Sequence, residues 1–193
     1  LGGHAGVGEY IDQVIANFDS GDVLLLQNEI SNIGYAIDAA VRQGMRVALN
    51  PSPFDERLLR CDLRKVSWLI LNEVEGQQMT GCSAGEPARI LALLRKAYPE
   101  AACVLTLGTA GAYYQSADTT VFQDTFRVKA VDSTGAGDTF TGFFLAGITQ
   151  GCDARQAMRR AAAAAAISVS RRGASSSIPT DQEVRQFLDS ELP

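Results

Sequence analysis

The feature that most constrains the fold is an alternation of short apolar runs with segments of helical length. Val23-Leu24-Leu25-Leu26-Gln27, Arg46-Val47-Ala48-Leu49-Asn50, Ser67-Trp68-Leu69-Ile70-Leu71 and Cys103-Val104-Leu105-Thr106-Leu107 read as strands. They are continuous in hydrophobicity rather than alternating, the pattern of strands covered on both faces. Residues 9–18 read as a helix on the spacing of Tyr10, Val14 and Phe18. Residues 33–43 read as a helix stopped by Gly44, residues 73–80 as a helical turn stopped at Gly81, and residues 86–97 as a helix. Pro51-Ser52-Pro53 breaks the chain before a short helix at 56–60. Strands separated by helices of about ten residues make parallel βαβ units. The implied fold class is α/β: a doubly wound, mostly parallel sheet flanked by helices.

The remainder departs from that rhythm. Residues 112–115 and 120–123, joined by a polar turn, read as an antiparallel hairpin at a sheet edge. Residues 126–131 read as a further strand, and residues 139–150, 153–170 and 181–188 as helices. The six alanines at 161–166 read as a helix packed closely on its neighbour, with Gly142, Ala146 and Gly147 permitting the approach. The glycines within residues 1–8 come after no strand and lack the GxGxxG order, so they read as a ragged chain start.

At 193 residues the chain can bury a core and amounts to one domain, or one and a part. A net charge of −5 with no basic run argues against a nucleic-acid surface. No apolar stretch reaches membrane-spanning length. Four widely spaced cysteines without a CxxC pair read as reduced thiols of a cytoplasmic protein. A single histidine leaves little for zinc or a histidine-based triad.

The chemistry concentrates in Asp132-Ser133-Thr134-Gly135-Ala136-Gly137-Asp138-Thr139-Phe140. A Gly-Ala-Gly turn at a helix mouth lets backbone N–H groups converge at the positive end of the helix dipole, which is an anion site. Asp138 is out of place there unless it either caps the helix or accepts a proton from a hydroxyl attacking a bound phosphate. In an open α/β sheet ligands bind beyond the carboxyl ends of strands. The segment after each strand here is polar: Gln27-Asn28-Glu29, Asn50-Pro51, Asn72-Glu73-Val74-Glu75, Thr106-Leu107-Gly108-Thr109 and the 132–138 run.

That run resembles the C-terminal signature of the ribokinase-like (PfkB) carbohydrate kinases. Asn72-Glu73-Val74-Glu75 is similar to the family's N-x-x-E motif, and Thr106-Leu107-Gly108-Thr109-Ala110-Gly111 resembles its nucleotide-side strand and loop. The tail from Ile167 through Arg171-Arg172-Gly173-Ala174 to Ile178-Pro179 resembles the family's ribokinases, as does Leu26-Gln27-Asn28-Glu29 followed by Leu49-Asn50-Pro51.

The resemblance implies ATP-dependent phosphorylation of a sugar hydroxyl, with ribose as the sugar. It implies Asp138 as general base and the Gly135, Ala136 and Gly137 amides as anion hole. Asn72, Thr106, Gly108, Thr109, Gly111 and Gly137 would meet the nucleotide, and Glu29 with Asp138 the sugar. Glu75, with Asn72, would organise Mg²⁺ through water. Asp132, Thr134, Ser168, Arg171, Gly173 and Ser177 would form a loop for K⁺, with Arg171 contributing its backbone oxygen. Other open readings are a family member acting on fructose, a sugar phosphate, a ketodeoxy sugar acid or a nucleoside, and a non-catalytic nucleotide-binding fragment. The implied partners are a small sugar and ATP, without nucleic acid or membrane.

One departure accompanies the match. The family begins with strands, a small lid sheet and a Gly-Gly-rich segment that carry most sugar contacts, and this chain enters the pattern partway through. The expectation is a single partial ribokinase-like domain over residues 1–193, lacking those N-terminal strands and the lid. A sheet edge exposed in this way invites association, as in a homodimer.

Overall fold

The computed structural model describes residues 3–83 and 85–191. It forms two compact units, one of Leu1–Leu105 with Gln115–Thr119 and one of Thr106–Tyr114 with Thr120–Pro193. Among the described residues are six strands and seven α-helices, an α/β fold as the alternation predicts.

The first unit runs α1 (Gly3–Ile15), β1 (Val23–Gln27), α2 (Ile33–Arg42), β2 (Arg46–Asn50), β3 (Trp68–Asn72), α3 (Glu73–Thr80), α4 (Pro87–Ala97) and β4 (Ala102–Thr106), the last residue of β4 being counted with the second unit. Two 3-10 turns, Glu56–Arg60 and Leu63–Lys65, lie between β2 and β3. Strand order is β1-β2-β3-β4. β1 pairs parallel with β2, Val23 against Arg46 through Gln27 against Asn50, and β2 pairs parallel with β3. Val47, Leu49, Leu69 and Leu105 are fully buried, each contributing about 1.5–3 kcal/mol of apolar burial. These are the central residues of the continuous apolar runs.

Two readings at this end need correction. The glycines after residue 2 are not a ragged start: α1 begins at Gly3 and stops at Ile15, short of Phe18. Leu1 and Gly2 lie outside the described residues. Tyr10, Val14 and Phe18 are 67%, 40% and 44% exposed, and Phe18 lies beyond the end of the helix, which their spacing predicts over 9–18. α1 meets α2 through a neighbouring face. Ile15 is buried, and Asp12 accepts from the Tyr35 hydroxyl at 2.5 Å and from Arg42 at 3.3 Å.

β5 (Ala112–Gln115) and β6 (Thr120–Gln123) are neighbours and belong to the second unit except for Gln115, which with the hairpin tip is counted with the first; in the tip Ser116 N–H donates to Thr119 O at 2.8 Å. Then come α5 (Ala136–Thr149), α6 (Ala154–Val169) and α7 (Asp181–Ser190). Ala163, Ala164, Ile167 and Val184 form a buried cluster against Phe126, Phe143, Phe187 and Leu188.

Residues 126–131 are not a strand. The segment lies on helices: Phe126 meets Phe187 edge-on at 5.2 Å, Arg159 stacks over Phe126, and Val131 N–H donates to Val169 O at 2.7 Å. Phe126 and Val128 are half-buried between exposed Arg127 and Lys129, the alternation of a strand without its ladder. The close approach of α5 and α6 also differs in detail from the expectation. A Cβ at Gly147 would sit 3.2 Å from Ala157, ahead of the alanine run, while one at Gly142 would meet nothing within 4 Å. Among the described residues, no helix is long and apolar enough to cross a membrane.

Candidate functional site

The second unit holds the 132–138 run. Gly135 precedes α5 with φ 76°, a left-handed conformation that costs other residues about 1–2 kcal/mol. It permits a sharp entry, and the helix begins at Ala136, three residues earlier than the apolar pattern suggests. Gly137 and Asp138 therefore already lie in the first turn, exposed to solvent. Asp138 is not the cap residue; Gly135 is, and it offers no side-chain cap. First-turn N–H groups have no partner within their own helix. Ala136 N–H turns back to Ser133 O at 3.2 Å, and a Cβ at Gly137 would meet nothing within 4 Å. The result is an open, positively polarised helix end with a carboxylate on its rim.

Asp132 ties this loop to the segment after α6. Its carboxylate accepts from Thr134 N–H at 3.0 Å, Thr134 Oγ1 at 2.7 Å and Gly173 N–H at 3.0 Å. Those donors, Thr134 N–H foremost, hold its pKa down at about 2. Ala174 lies 3.5 Å from where a Gly135 Cβ would be. Ser168 and Ser177 are buried with their hydroxyls 2.8 Å apart. Arg171 N–H donates to Ser168 O at 3.0 Å, while the Arg171 guanidinium reaches Glu183 at 2.6 Å. The structure thus brings Asp132, Thr134, Gly173, Ser168 and Ser177 into one pair of interlocked loops. The guanidinium of Arg171 points elsewhere.

The 106–111 loop is also in this unit. A 3-10 turn, Gly108–Ala110, comes after Leu107, whose N–H donates to Gly111 O at 2.8 Å. Gly108 and Thr109 are exposed, and Thr109 O accepts from Thr125 Oγ1 at 3.3 Å.

The first unit holds Glu29, Asn72 and Glu75. Asn72 ends β3 and caps α3 in a reciprocal box: Glu75 N–H donates to Asn72 Oδ1 at 2.9 Å, and Asn72 N–H to Glu75 Oε2 at 2.9 Å. Asn72 Nδ2 adds a bond to Glu75 Oε1 at 3.0 Å, so both oxygens of this buried carboxylate (6% exposed) are held. Glu29 lines a cleft of about 480 Å³ with Asn28, Asn32, Asp55, Arg57 and Cys61. Asp55 and Arg57 pair there at 2.6 Å. Asn28 anchors the cleft floor, donating through its backbone to Ser52 O at 3.0 Å and through its side chain to Pro53 O at 2.7 Å. Reasoning from sequence did not single out Asn28, Asp55 or Arg57: Asn28 is fixed by partners in a distant segment that local patterns do not report, while Asp55 and Arg57 pair two residues apart at the start of a 3-10 turn.

The sequence profile of the pfkB family carbohydrate kinases matches residues 15–181. A ribokinase of Haemophilus influenzae is 33% identical over 184 residues, covering 93% of this chain and 60% of its own length. A deoxyribokinase of Salmonella typhi is 32% identical over 168 residues, covering 86% and 55%. Among solved structures, Arabidopsis thaliana ribokinase complexed with ribose and ATP superposes with a TM-score of 0.79 at 27% identity, covering 94% of this chain and 59% of that one. The chain thus spans 55–60% of the length of these relatives.

Proposed function

The chain belongs to the pfkB family of carbohydrate kinases, and from that premise we propose that it forms the catalytic end of an ATP-dependent kinase that phosphorylates a sugar hydroxyl, with ribose as acceptor. One observation carries the reading. α5 opens on a left-handed glycine, with room around Gly137 and a carboxylate in its first turn. Phosphoryl transfer needs positioning and charge stabilisation more than covalent chemistry. The N–H groups of the Gly135–Gly137 turn would stabilise charge on the transferring group. Asp138 would accept the proton of the attacking hydroxyl as its oxygen bonds the γ-phosphorus and the bond to ADP breaks. The loop 106–111, with Thr106, Gly108, Thr109 and Gly111, is the proposed nucleotide contact. Glu29, in its own cleft, is the proposed sugar contact, and the ribokinase and deoxyribokinase relatives support a pentose.

Bound Mg²⁺ would neutralise phosphate charge, and Asn72 and Glu75 are the residues proposed to hold its hydration shell. Each Glu75 oxygen already accepts a hydrogen bond, which fits contact through water rather than direct ligation. K⁺ would be held by oxygens of Asp132, Thr134, Ser168, Arg171, Gly173 and Ser177, and would steady the anion hole electrostatically. Backbone ligation by Arg171 fits a guanidinium already paired with Glu183.

The test is a coupled assay on the full-length protein with ATP and a panel of ribose, 2-deoxyribose, fructose and nucleosides. Ribose should give the highest kcat/KM. Asp138→Asn should lower kcat by about 10³-fold with nucleotide affinity retained. A variant that keeps its rate would remove Asp138 as the base, and ATP binding without turnover on any sugar would favour a non-catalytic role.

A further inference from the structure

Behind the α5 opening, three hydroxyls run through the interior of the second unit. Ser168 is 1% exposed, Ser177 0% and Thr139 3%. Ser177 Oγ donates to Ala174 O at 2.7 Å. Ser168 Oγ lies 2.8 Å from Ser177 Oγ, and Thr139 Oγ1 donates to Ser168 at a longer 3.5 Å. Each hydroxyl has one proton. Because the proton of Ser177 goes to Ala174 O, Ser168 must be the donor to Ser177. The chain of hydroxyls therefore has one direction, from Thr139 through Ser168 and Ser177 to the Ala174 carbonyl.

Ala174 is where this chain of hydroxyls meets the anion hole. Its Cα and Cβ lie 3.5 Å from the position a Gly135 Cβ would take, and the adjacent Gly173 N–H donates to Asp132 at 3.0 Å. The segment 173–177 thus backs the 132–135 loop through the Gly173–Asp132 bond, with a methyl-sized space between Ala174 and Gly135. Ser177 N–H also donates to Ala174 O, at 3.3 Å, so Ser177 fixes that carbonyl twice. The base of the backing is the Ser168–Ser177 pair, buried where water cannot replace a lost partner.

We propose that Ser168 is a positioning residue for the anion-hole loop, acting through Ser177 and the 173–174 segment on Asp132. Its catalytic consequence rests on the kinase reading above; its structural consequence does not. The hydroxyl orients Ser177, Ser177 holds the Ala174 carbonyl, and the adjacent Gly173 N–H, bonded to Asp132, carries that order to the loop that turns at Gly135.

The experiment compares Ser168→Ala, Ser168→Cys and Ser170→Ala in the full-length protein, by amide hydrogen exchange and by steady-state kinetics. Ser170 Oγ donates within its own helix end to Ile167 O at 2.6 Å and serves as the local control. Ser168→Ala should keep its far-UV spectrum while exchange at Thr134 and Ala136, the hydrogen-bonded amides of the turn, rises about tenfold and exchange in α7 stays unchanged. Its kcat should fall about tenfold with the KM for ATP within about twofold. Ser168→Cys, with a weak donor, should fall between, and Ser170→Ala should match the parent. Unchanged exchange at Thr134 and Ala136 in Ser168→Ala would overturn the proposal, as would a rise spread equally over α6 and α7. If the parent phosphorylates no sugar, the kinase reading falls on that result while the exchange data still decide the role of Ser168.

Discussion

Two helix starts in this molecule are built in opposite ways. α3 closes its own: Asn72 and Glu75 exchange backbone and side-chain hydrogen bonds, and the carboxylate is buried in the process. α6 and α7 do the same with Asp153 and Gln156, and with Thr180 and Glu183. α5 leaves its start to a glycine at φ 76° and sets Asp138 in an exposed first turn. A helix that satisfies its own first-turn N–H groups gains stability; one that leaves them open keeps them for an anion. α2 and α4 also lack a side-chain cap, so an uncapped start alone says little. α2 even shares the left-handed start, at Asn32 with φ 65°; what separates α5 is the empty space at Gly137, the carboxylate in its first turn and the segment bonded to its loop through Asp132.

The comparison can be broken at either end. The largest effect is expected at the open one. Gly135→Ala fits sterically, with Ala174 atoms at 3.5 Å, but not conformationally. It should lower kcat by about 10²-fold through a displaced anion hole, at a stability cost of about 1–2 kcal/mol read by urea unfolding. Loss of stability without loss of rate would mean the turn is only structural. At a closed end stability is the first loss, and at α3 a loss of rate accompanies it because Asn72 is also a proposed nucleotide and Mg²⁺ contact. Asn72→Ala removes the acceptor for Glu75 N–H and one donor to a buried carboxylate. It should cost about 1–2 kcal/mol of stability, while Asp153→Ala, at the α6 cap, should cost about 1 kcal/mol and leave kcat unchanged.

The smallest effect is in acid. Asp132 and Glu183 are both held at about 2, Asp132 chiefly by Thr134 N–H and Glu183 chiefly by Arg171. Their unfolded values are about 3.9 and 4.3. Folded pKa values below unfolded ones mean that both groups stabilise the protein fully above about pH 4.5, and that this is lost as pH falls toward 2. Asp132→Asn should flatten the fall in urea midpoint between pH 4.5 and 2.5, and an unaltered slope would remove Asp132 from that limb.

The closed ends were the more legible in sequence. Asn72-x-x-Glu75 carries its structure in a local spacing, and the apolar strand cores appear within a residue of their expected positions. The open end was legible as chemistry but not as geometry. Gly-Ala-Gly reads as a turn, yet only Gly135 turns and the helix has begun by Ala136. Residues 126–131 misled because half-buried Phe126 and Val128 alternate with exposed Arg127 and Lys129 as in a strand, while Phe126 is covered by side chains of α6 and α7. The pairing of Ser168 with Ser177 and the anchoring of Asn28 to Pro53 join residues 9 and 25 apart, and no local pattern encodes them.

The most direct measurement is an amide-resolved NMR titration of the full-length protein with ADP, aluminium fluoride, Mg²⁺ and ribose, which together mimic the transferring phosphoryl group. The predicted result is that the amides of Gly135, Ala136, Gly137 and Asp138 shift strongly, while those at the self-capped starts of α6 and α7 stay in place. Unmoved amides at the start of α5, in a protein that demonstrably binds the complex, would contradict it.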